Sequence, residues 1–474
     1  MSGYTRIEKL GKPGVFACTD NFAHDARSAA EDFGMPKARM LALPAADYYR
    51  LRRSEVAIRP VAAAAADKLI DGLRRPLSAE EASVTVKKEA LEPVTVTADS
   101  YAHAAQKFNE AFLANHWGDG LPLVPPTREA VREMLGGTSR SPGEVIGTVA
   151  PKNGTVTVEM AAVNAVMAGA RPEYLPVIIA AMEGITDPAY DDLHILTSSG
   201  SFNLAIMVSG PIAKEIDVNS GIGMLGYGWR ANSTIGRAVR LITINAGRVW
   251  PAETDMALMG RPSSQFYDFA ENHDLSPWEP FHVSQGFKPE DSCVTISSVM
   301  SSPGNYFGGG AVEPWTPQQI LDNITRSLLG SRAGMLGWKR GGPNPGPMKH
   351  ILIFQPELAN ELDRLGYARQ SLQKLLYERA TVPYEQLTPA EIASIQPRID
   401  SGEIPPDRVP VFKEALKPGG KLPILDRPED IRIVVAGGIP GYTFGMMYYR
   451  EGLYAPTSDQ TRKIRGATLT KAGR

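Results

Sequence analysis

Ile7-Glu8-Lys9-Leu10-Gly11-Lys12-Pro13-Gly14-Val15-Phe16-Ala17-Cys18-Thr19-Asp20 sets a short apolar run, Val15 to Cys18, between a Pro-Gly turn and the helix-capping pair Asp20-Asn21. The pattern predicts a buried strand that feeds a helix. That helix is expected over about 22–33, where Phe22, Ala26, Ala29, Ala30 and Phe33 recur at helical spacing, with a stop at Gly34 ahead of Pro36. Met40 to Leu43 reads as a second strand. A longer segment from Ser54-Glu55, interrupted by Pro60, carries an Ala-rich helix from Val61 to Leu73. Strand, helix, strand, helix within about 75 residues falls short of the ~100–150 residues of an independent domain. The N-terminal stretch is therefore expected to be an incomplete Rossmann-like half-domain whose other half comes from elsewhere.

The 474 residues are 43% hydrophobic and 22% charged, an ordinary globular balance that allows two or three domains. A net charge of -2 argues against a nucleic-acid partner. No apolar run of 18 residues and no signal-peptide pattern occurs, which predicts a cytoplasmic protein with no membrane association. The two cysteines, Cys18 and Cys293, have no CxxC or zinc-type spacing. Residues 81–99 read as a linker or extended arm between the half-domain at 1–80 and a large domain at 100–474. The large domain should be α/β, or α+β, with a substrate pocket. It opens with a helix at about 100–115, with Tyr101, Ala105, Phe108 and Phe112 on one stripe and Asp99-Ser100 as cap.

Residues 4–78 resemble the C-terminal half of the bacterial (seleno)protein family named for its U/C-Gly-Ser-Cys motif, the UGSC family. In that family the redox motif lies upstream of the matching residues. Here only Met1 to Thr5 precede them, and no Cys-Gly-Ser-Cys occurs in the chain. A second resemblance is carried by Trp117-Gly118-Asp119-Gly120-Leu121-Pro122-Leu123-Val124-Pro125-Pro126-Thr127 and by the stretches 157–177, 228–241, 270–287 and 466–474. These are similar to a larger protein found with, or fused to, the UGSC domain. Together the resemblances imply a heteromeric enzyme in which a small partner subunit completes the half-domain and supplies the thiol or selenol.

Three constellations carry chemistry. A helix over 157–169 places Glu159 early and Asn164 a turn later among small apolar residues, followed by a charged turn at Arg171. The Gly-rich run 219–237 contains GxGxxG but does not follow a strand directly, so NAD is not expected. It reads instead as a loop feeding a helix capped by Asn232 or Ser233, with Arg230 and Arg237 placed to hold an anion. Glu271, His273, Glu279 and His282 lie within 12 residues and offer metal ligands in no recognised spacing. His282, Glu159 and Asp119 are the acid/base candidates; Arg230, Asn232, Arg237, Asn164 and Arg171 are the substrate-binding ones. The glycine-rich segments 301–311 and 330–347 read as long loops. Met348 to Phe354 and the run from Ile431 into Gly437-Gly438-Ile439-Pro440-Gly441 read as strands, the latter ending in a turn suited to a ligand.

Two functions fit these features. The chain is either the large subunit of a cytoplasmic oxidoreductase or lyase acting on a small anionic molecule with a partner's thiol, or a stand-alone lyase, hydratase or hydrolase using Glu159 or His282, with or without a metal. A non-catalytic scaffold is the remaining alternative.

Overall fold

The computed structural model describes residues 4, 7–8, 10–32, 34–44, 55–81, 94–258, 260, 267–300, 304–307, 316–330, 348–402, 404, 406–425, 427–438, 442–450 and 455–468. The expected loop residues 301–303, 308–311 and 331–347, the turn residues 439–441, and 469–474 lie outside them, as do Phe33 and Ser54.

The N-terminal elements follow the predicted order: β1 (Phe16–Thr19), α1 (Ala23–Asp32), β2 (Met40–Leu43) and α2 (Glu55–Arg74). β1 and β2 pair in parallel, Phe16 opposite Met40 and Thr19 opposite Leu43. α2 does not break at Pro60, which lies inside it. Arg39, at the entry to β2, closes the unit: its guanidinium donates to the carbonyls of Gly72, Arg75 and Pro76 and pairs with Glu81 at 2.9 Å. That pairing pushes the Glu81 carboxyl well below the usual range.

Next come α3 (Tyr101–Ala114), α4 (Arg128–Leu135), the antiparallel hairpin β3 (Val145–Val149) and β4 (Gly154–Thr157), then α5 (Val158–Ala168), α6 (Leu175–Ile185) and α7 (Asp192–Thr197). Ser100, Thr127 and Thr157 cap α3, α4 and α5 through side-chain bonds to the first-turn backbone, and Gly169 at φ 78° ends α5. Tyr101 is exposed rather than part of the α3 stripe.

The rest of the chain builds two four-stranded sheets. β5 (Asn203–Ser209), α8 (Ile212–Glu215), α9 (Arg230–Asn245), β6 (Tyr267–Ala270), α10 (Phe281–Ser284) and β7 (Cys293–Val299) precede β8 (Gly304–Phe307), which falls inside a stretch expected to be loop. There follow α11 (Pro317–Gly330), β9 (Met348–Phe354), α12 (Pro356–Arg364), α13 (Arg369–Arg379), β10 (Thr381–Pro383), α14 (Pro389–Asp400), α15 (Val409–Ala415), β11 (Lys421–Pro423), β12 (Ile431–Val435), β13 (Thr443–Arg450) and β14 (Asp459–Lys463). The sheet orders are β14-β7-β5-β6 and β12-β9-β13-β8, with β10 and β11 forming a separate pair.

Alternation along the strands shows how the sheets stack. Leu204, Ile206 and Val208 of β5 face a core shared with α5, α6 and α9, while Ala205 and Met207 face a second core. Leu352 and Phe354 of β9 face the helices of the other sheet, and Ile351 and Ile353 enter the same second core as Ala205 and Met207. The sheets thus lie face to face with helices outside both. This is an α/β fold of four layers, and burial on both faces explains why these strands read as continuous apolar runs.

The two sheets repeat one design. β5 runs parallel to β6 and antiparallel to β7; β9 runs parallel to β12 and antiparallel to β13. Val208 pairs with Ala270 and Val294, and Phe354 pairs with Val435 and Phe444 at the matching places. Behind the first strand of each unit, Ile212-Ala213-Lys214-Glu215-Ile216 matches Leu358-Ala359-Asn360-Glu361-Leu362, with the three apolar members buried in both. The fourth strands are exchanged: β8 adds to β13 of the second sheet, and β14 adds to β7 of the first.

Among the described residues no helix is long and apolar enough to cross a membrane. Inside the first unit Asp192 accepts from the Ala150 amide at 2.8 Å, and burial raises its carboxyl to about 6. The folded state therefore holds this proton up to about pH 6 while the unfolded chain loses it near 3.8. Stability should fall between those values by up to roughly 3 kcal/mol. Thermal melts of Asp192→Asn and the parent should converge near pH 4 and separate in the variant's favour by pH 7; parallel pH dependences would contradict this.

Candidate metal centre

Where β6 ends, Glu271 continues the strand geometry by donating its N–H to the Val208 carbonyl at 3.0 Å. Its side chain is fully buried, and both oxygens accept from the Phe281 amide at the start of α10, at 2.9 and 2.8 Å. Ser209 Oγ donates to Oε2 at 3.3 Å. The chain then turns so that His273 Nε2 lies 3.2 Å from the same Oε2. α10 brings in His282, whose ring lies 5.7 Å from that of His273. One ligand atom from each of Glu271, His273 and His282 lies within 4.8 Å of the other two.

The hydrogen bonds at these rings define where the lone pairs point. His282 Nε2 donates to the Lys288 carbonyl at 3.1 Å, which leaves Nδ1 buried as a bare acceptor with no hydrogen-bond partner among the described residues. Burial, reinforced by the neighbouring His273, holds the His282 pKa below its ordinary value, so the ring is neutral at physiological pH. The Gly210 amide donates to His273 Nε2 at 3.3 Å, so that nitrogen also presents a lone pair. The contact between His273 Nε2 and Glu271 Oε2 sets an imidazole nitrogen against a carboxylate oxygen, the ligand types that a divalent cation takes.

The donor set suits a divalent transition metal. Two imidazoles and a carboxylate form a three-ligand site of the catalytic kind, and a ring N–H donated to a backbone carbonyl is the usual support for a ligating histidine. Ligands about 2.0–2.2 Å from one ion lie within about 4.4 Å of each other, so closure needs shifts of a few tenths of an ångström. The open side faces a cleft of about 1120 Å³, onto which Glu271, Asn272 and His273 open beside Arg171, Lys214 and Trp229. His273, 24% exposed, is the ligand solvent reaches. Arg369, the first residue of α13, comes from the other unit: its guanidinium lies 3.6 Å from Glu271 Oε1 and donates to the Glu279 carbonyl at 2.7 Å. In the second unit the residues that match Glu271-Asn272-His273 are Ala436-Gly437-Gly438. They carry no ligand, and a Cβ on Gly438 would run into Ile222. Gly437 and Gly438, the described part of the turn expected to meet a ligand, lie against the 219–229 loop, with Gly437 N–H donating to the Ser220 carbonyl at 2.8 Å.

The other sequence candidates are dispersed. Glu279 is exposed and reaches the site through its backbone alone. Arg237 does not hold a free anion: its guanidinium grips Asp119 with two bonds of 2.8 and 3.0 Å and donates to the carbonyls of Leu121, Pro122 and Ala168. That bond set fixes the Gly-Pro loop and removes Asp119, 2% exposed, from acid/base work. α9 begins at Arg230, so Asn232 is not its cap. It is buried, and its amide ties together Asn219, Met224 and Asp268. Burial pushes the Asp268 carboxyl well above its ordinary value, while the Gly236 amide donates to it, and a Cβ on Gly236 would strike it. Arg230 is exposed and donates to the Gly169 carbonyl at 2.8 Å, while Arg171 borders the metal-site cleft beside Glu173. Glu159 and Asn164 line a separate pocket. Ser209, Gly210 and Arg369 had no signal in the sequence, because each is brought in from more than 60 residues away.

No family model, curated protein or solved structure matches this chain.

Proposed function

We propose that this protein is an enzyme that holds a divalent transition metal on Glu271, His273 and His282 and acts on a small polar molecule as a lyase, hydratase or hydrolase. The observation that carries the reading is the meeting of one ligand atom each from Glu271, His273 and His282 within 4.8 Å of one another, beside a His282 Nδ1 that is buried with no hydrogen-bond partner among the described residues. A metal there supplies a Lewis acid and an activated water. The chain's own residues orient the carboxylate and the two rings through their hydrogen bonds, and they shape the cleft. The test is titration of chelator-treated protein with Co²⁺, following the visible absorption of the bound ion. One equivalent per chain with a low-coordinate spectrum supports the proposal. No binding at millimolar Co²⁺ refutes it.

One observation favours a second role alongside it. Among the described residues the N-terminal sheet has only two strands, fewer than an isolated sheet needs, and Leu10, Val56 and Ile70 are exposed around it. This supports the UGSC resemblance: a small subunit bearing Cys/Sec-Gly-Ser-Cys would complete the half-domain and bring the thiol or selenol. Cys18, half-buried in β1, is then structural. Cys18→Ala should retain most activity in the assembled enzyme. Complete loss with normal assembly would place the reactive thiol on this chain, and a monodisperse, fully active homomer would remove the partner.

A further inference from the structure

The Trp117 to Thr127 loop and the α5 motif, neither used by the metal centre, converge on a second cavity of about 940 Å³. Its walls are largely apolar, with Phe112, Trp117, Val163 and Met167 among them. Its polar floor is fixed: Asn245 Nδ2 donates to Asn164 Oδ1 at 2.8 Å and to the Trp117 carbonyl at 3.1 Å, and Asn164 Nδ2 donates to the Met160 carbonyl at 2.9 Å. Asn164 is buried, so this floor joins α5, α9 and the loop before any ligand arrives.

The charges at this cavity do not balance. Arg128 and Arg132, both exposed and one turn apart on α4, line it against the single carboxylate of Glu159, and Arg248, after α9 and already partnered, closes one side. Neither Arg128 nor Arg132 has an ion-pair or hydrogen-bond partner among the described residues, and like charges at i and i+4 repel. Arg248 occupies the left-handed region at φ 56°, which a non-glycine residue adopts only when its surroundings hold it there. Its carbonyl is held by Thr254 Oγ1 at 2.6 Å. A pre-formed apolar cavity with a few convergent polar groups is the ordinary form of a small-molecule site.

We propose that this cavity binds an amphipathic organic anion, its apolar body against Trp117, Val163 and Met167 and its carboxylate at Arg128 and Arg132. The site is separate from the metal centre, whose lining residues it does not share. The test uses octanoate and its neutral isostere octanamide, titrated calorimetrically into the full chain and into an Arg128→Gln/Arg132→Gln variant whose melting curve matches the parent's. Octanoate should bind one per chain at least tenfold more tightly than octanamide, and the variant should bring the two to equal affinity. Equal affinities in the parent, an octanoate preference that survives in the variant, or no binding of either probe would each overturn the proposal.

Discussion

Arg237→Met should destabilise the protein by about 3–5 kcal/mol, the cost of stripping one partner from a buried ion pair. Asp119 would stay behind with 2% of its side chain exposed, and the Leu121, Pro122 and Ala168 carbonyls would lose their donor. Against a total stability of about 5–15 kcal/mol that loss is severe. Replacing both partners, Arg237→Met with Asp119→Leu, should recover much of it, because no uncompensated charge then remains. Denaturant titration of the three variants measures this directly. A loss below about 1 kcal/mol in Arg237→Met would return the residue to the substrate-binding role its sequence position suggested.

Glu271→Gln and His282→Ala should each weaken Co²⁺ binding by at least about 100-fold, the upper end of what losing an outer-shell partner costs. Gln keeps the shape of Glu271 but not its charge. It also brings an NH₂ group that competes for the lone pair of His273. His282→Ala removes the acceptor that has no other partner. Because His282 has its pKa lowered by burial, it should stay ligation-competent to lower pH than an ordinary imidazole. An unchanged affinity in both variants would place any bound metal elsewhere.

Much of the secondary structure was legible because the signals are local. Met40 to Leu43 and Met348 to Phe354 read as strands and became β2 and β9, and Ser100 caps a helix where the pattern places it. The candidate metal site was partly legible, since Glu271, His273 and His282 are close in sequence. Nothing local distinguished the buried Glu271 from the exposed Glu279. The role of Arg237 was not legible, because an arginine on a helix reads as available charge until a carboxylate from 118 residues upstream meets it. The duplicated design is not legible in the sequence either. Only Ile-Ala-Lys-Glu-Ile and Leu-Ala-Asn-Glu-Leu preserve it in residues, and strand pairing leaves no mark in a single chain.

The exchange of fourth strands constrains the order in which the ribosome delivers this fold. β7 ends at Val299, but its outer neighbour begins at Asp459, roughly 160 residues later. At about 5–20 residues per second the nascent first sheet waits on the order of 10–30 s with an open edge. An unpaired edge is a template for pairing with other chains. A stop codon placed just before Asp459 should therefore yield insoluble protein, although the truncated product retains Glu271, His273 and His282.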